Sequence, residues 1–229
     1  MMNTDAVFYR AIELLKRGDL ARIKTLFASS DAAVKAAVLN GLWGEPGGKP
    51  EVGPGVVALA VEGAAHPSPE VRRMACSVFQ NQDAWGVDVS PAIGPLLALL
   101  GDADAEVRRT AAYATGNVCR RRFDWSPHFA ALRRLLSDPY LYLPEAAAWA
   151  LAKMSRAGHD IGPAIGPLVR VLSRRREYGE PRKQAAKALL HYARKSAAGR
   201  DRVRRAVDAA TLDGRRKEVT RFLEQLGAL

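Results

Sequence analysis

The side chains that most often carry enzymatic chemistry are few and scattered in this sequence. Four histidines could act as bases or metal ligands and two cysteines as nucleophiles: His66, His128, His159, His191, Cys76 and Cys119. No HExxH or CxxC spacing places two of them together, and the glycines at 44–55 do not follow a phosphate-binding loop pattern. We therefore expect no metal, no cofactor and no catalytic residue.

The sequence segments that would position any site recur at a regular interval along the chain. PAIGPLLALL at 91–100 returns as PHFAALRRLL at 127–136 and as PAIGPLVRVL at 163–172, with a displacement of 36 residues each time. EVRRMACSVF from Glu70 and EVRRTAAYAT from Glu106 follow the same period. A fixed period of roughly 20–50 residues is typical of a solenoid or array.

Each repeat is predicted to form two antiparallel helices. Either Pro91 or Pro95 could open the first helix, because proline is tolerated in the first helical turn. Turn residues such as GDADAE (101–106) then separate it from a second helix. The apolar stripes of two successive second helices predict the core residues Val71, Ala75, Val78, Phe79, Val107, Ala111, Ala114 and Thr115. One pair cannot bury such a stripe alone, so we expect consecutive pairs to stack.

These patterns predict a leading helix near residues 4–17 and then about six helix pairs. The pairs are expected at about 19–44, 54–84, 90–121, 126–157, 161–196 and 200–227. We expect a single domain over 1–229, with an N-terminal capping helix at 1–18, repeats at 19–196 and a C-terminal capping pair at 197–229. The stretch at 40–55 is rich in glycine and proline and predicts a long loop inside this domain.

The segment IGPLLALLGDADAEVRRTAAYATG at 93–116 resembles the consensus of HEAT repeats. It has a proline-containing, leucine-rich helix, an acidic turn, a Val-Arg pair and an alanine-rich helix. The resemblance covers about residues 19–196 and is strongest in the two central units. It implies an all-α fold, a right-handed α-solenoid with a period of about 36 residues whose second helices line a concave face. It implies no function, because such folds serve many functions.

The face of the second helices opposite the core stripe is predicted to be exposed. Stacked units would align cations and large rings there, so our candidate binding residues are Arg73, Arg109, Tyr113, Arg120, Glu145, Trp149, Arg156, Lys183, Lys187 and Arg194. Tyr113 and Trp149 could stack bases, at roughly 1–3 kcal/mol each, or anchor a protein partner. They could also fill gaps between neighbouring helices.

Two further arginines have a structural interpretation. Arg72 and Arg108 each follow the valine that begins the second helix of a unit. We expect them to reach the acidic turn of their own or the next unit, where Asp102 and Asp104 are available. The next position, held by Arg73 and Arg109, is the better candidate for contact with a partner.

Charge is distributed unevenly along the chain. Residues 1–114 carry 11 Lys/Arg and 13 Asp/Glu, whereas residues 115–229 carry 24 and 11, which gives −2 and +13 of the total of +11. So basic a half must attract acidic surfaces. Basic clusters at 119–128 and 173–183 could rim a binding groove or be solvated.

Because we find neither an apolar run of ~20 residues nor a secretion signal, and only two cysteines, we expect a cytoplasmic protein.

The preferred interpretation is a non-enzymatic HEAT-repeat binding or scaffold protein that engages an acidic partner, protein or nucleic acid, through a basic concave face. The alternative is a DNA-binding enzyme resembling the HEAT-fold alkylpurine DNA glycosylases, which are small, basic, all-helical chains. Trp149, Tyr113, Glu145 and Asp124 could take roles in such an enzyme. That family's Trp-Trp-Asp stretch has no match in this sequence, so no catalytic residue is assigned.

Overall fold

The computed structural model describes residues 3–43, 52–119, 123–174 and 179–229. Every regular element in these ranges is helical, and no strand occurs in them. The α-helices are α1 (Thr4–Arg17), α2 (Leu20–Phe27), α3 (Ala32–Trp43), α4 (Gly53–Ala64), α5 (Pro69–Ala84), α6 (Ile93–Leu99), α7 (Ala105–Val118), α8 (Ser126–Leu135), α9 (Leu143–Arg156), α10 (Ile165–Ser173), α11 (Gly179–Ala193), α12 (Ala197–Asp208) and α13 (Lys217–Gly227). None of these described helices is both long enough and apolar enough to cross a bilayer.

The chain divides into two compact units, Met1–Val118 and Cys119–Leu229. The first contains α1 to α7 and the second α8 to α13. The charge changes at the same boundary, because residues 115–118 carry no charge, so the units hold −2 and +13. The single domain over 1–229, the number of repeats and their period stay predictions.

In the first unit the second helices pack side by side, α1 against α3, α3 against α5 and α5 against α7. The eight core residues predicted in α5 and α7 are all fully buried there. Gly41 allows the close approach of α3 to α1, since a Cβ at this position would lie 2.8 Å from the carbonyl oxygen of Phe8. Small residues in the stripes therefore set the spacing between helices.

In the second unit α11 is the central helix. It packs most extensively against α9 and also contacts α10, α12 and α13. Leu151, Leu168, Leu189 and Phe222, from α9, α10, α11 and α13, are buried in the resulting core. Both faces of α11 are therefore fixed by neighbours, which holds its remaining polar side chains in defined positions.

The repeated PAIGP sequence forms a 3-10 turn followed by an α-helix. Ser90–Ala92 contains Pro91, and α6 begins directly afterwards at Ile93. Gly162–Ala164 does the same before α10. Pro95 then falls in the first turn of α6, where its missing N–H needs no partner. Pro91 thus opens the turn and Pro95 lies within the helix.

Candidate functional site

One set of cations is used inside the fold. The guanidinium of Arg72 donates from Nε to Asp102 Oδ2 at 2.7 Å and from Nη2 to Asp102 Oδ1 at 2.8 Å. Its Nη1 also donates to the carbonyls of His66 and Pro67 in its own turn. Arg108 repeats the second pattern with the carbonyls of Asp102 and Ala103. The expected role of Arg72 and Arg108 at the inter-helix turns is therefore confirmed by these contacts.

The same repeat position holds two cations that sequence reasoning missed. Lys35 donates to the carbonyl of Phe27 at 2.6 Å, and Arg182 lies 3.5 Å from the carboxylate of Glu218. Lys35 follows Val34 and Arg182 follows Pro181, as Arg72 and Arg108 follow Val71 and Val107 in the corresponding helices. Aligning the units residue by residue would have found them.

The contacts of Arg72 and Arg108 at this turn affect the pKa of Asp102. Its burial alone would raise the pKa of the carboxyl group. Hydrogen bonds from Arg72 and from the amide of Asp104, with the charges of Arg72 and Arg108, outweigh that burial and hold the pKa below its ordinary value. Asp102 is therefore ionised at neutral pH and accepts the hydrogen bonds of Arg72 in this form.

In the first unit, three residues of the predicted binding column are described on α5 and α7. Arg73 is half-buried, and so is Tyr113. Arg109 is also half-buried and donates to Glu106 one turn earlier on the same helix, at 2.6 Å. Part of the charge of Arg109 is thus compensated within α7, which a spacing of three residues between opposite charges could have indicated.

In the second unit the column divides into half-buried and exposed side chains. Glu145 and Trp149 on α9 are half-buried, and the ammonium of Lys153 lies 4.9 Å from the centre of the Trp149 ring. Four cations of the column on α9 and α11 are exposed: Arg156, Lys183, Lys187 and Arg194. The remaining candidate, Arg120, and much of the basic clusters at 119–128 and 173–183 lie outside the described residues.

The small or apolar members of the same face are buried between neighbouring second helices. Leu190 on α11 is 6 % exposed and Ala152 on α9 is 7 % exposed. They form an apolar floor, and only the long polar side chains beside them reach solvent. On α9 and α11 the exposed cations of the column therefore lie beside buried apolar residues.

A group of four cations lies over such a floor between α11 and α13. A groove of about 590 Å³ is lined there by Lys183 and Lys187 from α11 and by Lys217 and Arg221 from α13. Leu190 and Phe222 contribute its apolar surface. Lys217 and Arg221 were missed because α13 was assigned to the C-terminal cap. Their four-residue spacing, the same as that of Lys183 and Lys187, was a readable signal.

Glu218 is the acidic residue among the described side chains that line this groove, and its carboxylate forms an ion pair with the buried Arg182. A hydrogen bond from its own backbone amide, opposed by burial and supported by the charge of Arg182, lowers the pKa of its carboxyl group. The Arg182 side chain is only 3 % exposed. Lys183 does have a partner, since it donates to Glu180 at 3.1 Å, but Lys187, Lys217 and Arg221 form no ion pair with a described acid.

Cations of α9 and α11 also act on one histidine. His191 on α11 is half-buried, and burial is the main reason that its pKa lies below the ordinary value. The charges of Arg194, Arg156, Lys195 and Lys187 lower that pKa further. Four cations therefore act on one neutral imidazole, and an anion near them would relieve their mutual repulsion.

Two of the residues considered for the enzymatic alternative, Asp124 and Glu145, do not line the same cavity among the described residues. Asp124 precedes α8, accepts a hydrogen bond from the Ser126 amide and lines a cavity of about 590 Å³ beside Phe129 and His159. Glu145, in the first turn of α9, is not among the described residues around that cavity.

Burial raises the pKa of the Cys76 thiol far above its ordinary value, which makes this thiol unreactive at neutral pH.

Comparisons with known proteins agree with this fold. The family model for HEAT repeats matches residues 58–152. No protein of curated function matches the chain. A designed armadillo repeat protein superposes with a TM-score of 0.71 at 20% identity, covering 90% of this chain and 98% of that chain.

Two further solved structures are similar. An engineered protein gives a TM-score of 0.73 at 20% identity, covering 92% of this chain and 99% of its own. A designed armadillo repeat protein in complex with the peptide (KR)4 gives 0.71 at 20% identity, covering 93% and 98%. At such identities the likeness concerns the fold. The chain thus has an all-α helical-repeat fold, in which residues 58–152 match HEAT repeats.

Proposed function

We propose that this protein is a non-enzymatic binding or scaffold protein whose second unit holds an acidic polypeptide segment. The observation that carries the proposal is the groove between α11 and α13, where four cations surround one described carboxylate that is turned toward Arg182. An acidic segment in this groove would place carboxylates beside Lys187 and Lys217. Its apolar side chains would pack in the groove beside the stems of these lysines.

An apolar floor favours a polypeptide over nucleic acid as the occupant. Leu190 and Phe222 are only 6 % and 1 % exposed, so neither residue offers an open ring face on which a base could stack. The similar designed armadillo repeat protein was solved with a peptide, which supports the same class of ligand for this chain. The charge of that peptide is not transferred, because only 20% of the residues are identical.

The test is the affinity of the whole chain for a fluorescent peptide of alternating glutamate and leucine. We expect Lys187→Glu combined with Lys217→Glu to weaken binding roughly ten-fold or more, since two attractions become repulsions. The matched control is Arg170→Glu combined with Arg205→Glu, which changes the net charge equally on exposed positions of α10 and α12. The control should lose much less affinity.

Two results would overturn the proposal. Equal losses in both double variants would mean that the peptide responds to net charge alone. A generic DNA duplex that binds more tightly than the peptide, with a loss of about 10³–10⁵ in affinity between about 50 and 200 mM salt, would identify nucleic acid as the ligand.

A further inference from the structure

The first unit has a groove of its own on the face of its second helices. It has a volume of about 790 Å³ and is bounded by α1, α3 and α5. Alanines and Ser77 form much of its lining, whereas its edges carry larger side chains. This groove lies in the unit with the negative net charge and shares no residue with the groove between α11 and α13.

Two aromatic rings at this groove are unusually exposed. Tyr9 on α1 is 67 % exposed and Trp43 at the end of α3 is 40 % exposed. Phe8 packs edge-to-face against Tyr9, with ring centres 5.1 Å apart. The carbonyl of Trp43 accepts a hydrogen bond from the Asn81 side chain at 2.6 Å, which holds the end of α3 against α5. Exposed rings at the edge of a groove are typical of ligand contacts.

The charged groups of the groove favour a cation. Asp5 and Glu70, in the first turns of α1 and α5, both line it and are exposed, and neither forms an ion pair with a described residue. Arg73 lies one turn beyond Glu70 and is half-buried. Two carboxylates and one guanidinium leave the groove negative.

We propose that this groove binds a basic polypeptide segment. Arginine or lysine side chains of the segment would stack on Tyr9 and Trp43, whose ring faces attract cations. The same cations would pair with Asp5 and Glu70. Arg73 opposes such a ligand, so it limits affinity and disfavours segments of very dense positive charge.

The test uses the whole chain and a fluorescent peptide of alternating arginine and serine at about 0.15 M salt. Asp5→Asn combined with Glu70→Gln should weaken its binding roughly ten-fold, and Tyr9→Ala combined with Trp43→Ala by a similar factor. Arg73→Gln should strengthen binding roughly three-fold, which a merely structural role of the groove would not produce. Each variant is first checked for an unchanged melting temperature, and the isosteric pair Asp5→Asn and Glu70→Gln serves if the aromatic pair unfolds.

The outcome is separable from the proposal for the second unit. All of these variants should bind the glutamate–leucine peptide as the natural chain does, because that peptide occupies another unit. No binding of the arginine–serine peptide by the natural chain, or equal binding by all variants, would disprove the basic-segment site. Neither result would touch the groove between α11 and α13.

Discussion

Two neighbouring arginines on α5, Arg72 and Arg73, lie in different environments. Arg72 is held by Asp102 and by two turn carbonyls, with its side chain 16 % exposed. Arg73, one position later, forms no ion pair with a described residue and lines the groove of the first unit. Because successive helical residues are rotated by about 100°, Arg72 contacts the turns between helices, whereas Arg73 faces the groove. The net charge of a repeat protein therefore overstates the charge available to a partner.

We predict that Arg72→Met lowers the free energy of unfolding by about 2–3 kcal/mol, because it leaves the partly buried Asp102 carboxylate and two carbonyls without their donor. Arg73→Met is the matched control and should change it by less than about 0.5 kcal/mol. Urea unfolding at neutral pH measures both. Equal effects of the two substitutions would contradict the structural role of Arg72.

The same pair gives a pH dependence. The pKa of Asp102 is lower in the folded chain than in the unfolded chain, where it is about 3.9. Its contribution to stability is therefore complete above that value and is lost as the pH falls through the lowered folded pKa. We expect the stability difference between the natural chain and Arg72→Met to be constant from neutral pH down to about pH 5 and to shrink below about pH 4.

At the level of elements, the repeat made much of the fold predictable. The leading helix was expected near 4–17 and is Thr4–Arg17, since its apolar period and the cap residues at both ends are local signals. Proline and acidic-turn signals likewise placed most of the later helices within a few residues. The part played by α13 in the groove was not predictable in this way, because its packing against α11 is a tertiary contact outside the repeated pattern.

Helix spacing gives a prediction for α3. Gly41→Ala would place a Cβ 2.8 Å from a backbone oxygen of α1 and 2.9 Å from the Ala11 Cβ, so the two helices must separate. We expect a loss of roughly 1–3 kcal/mol in unfolding free energy, more than the gain of about 1 kcal/mol in helix propensity. Gly94→Ala on α6 is the control, since its Cβ would meet no atom within 4 Å. Stabilisation by both substitutions would show that Gly41 does not limit the approach.

At the level of the whole molecule, charge and architecture divide at the same place. The unit up to Val118 carries −2 and presents aromatic rings with carboxylates, whereas the unit from Cys119 carries +13 and presents cations over an apolar floor. The two binding sites that we propose, one for an acidic and one for a basic segment, suit a protein that brings two different partners together. Of the two, the basic groove has the larger excess of charge and is the principal site that we propose.

The most direct measurement is photo-crosslinking of the glutamate–leucine peptide, carrying one photoreactive residue, to the whole chain, followed by identification of the linked residues. We expect the links to concentrate on α11 and α13 around Lys187, Leu190 and Arg221, and to disappear in the Lys187→Glu, Lys217→Glu variant. Links spread evenly over the exposed arginines of α10 and α12, or unchanged in that variant, would contradict an acidic-segment site in this groove.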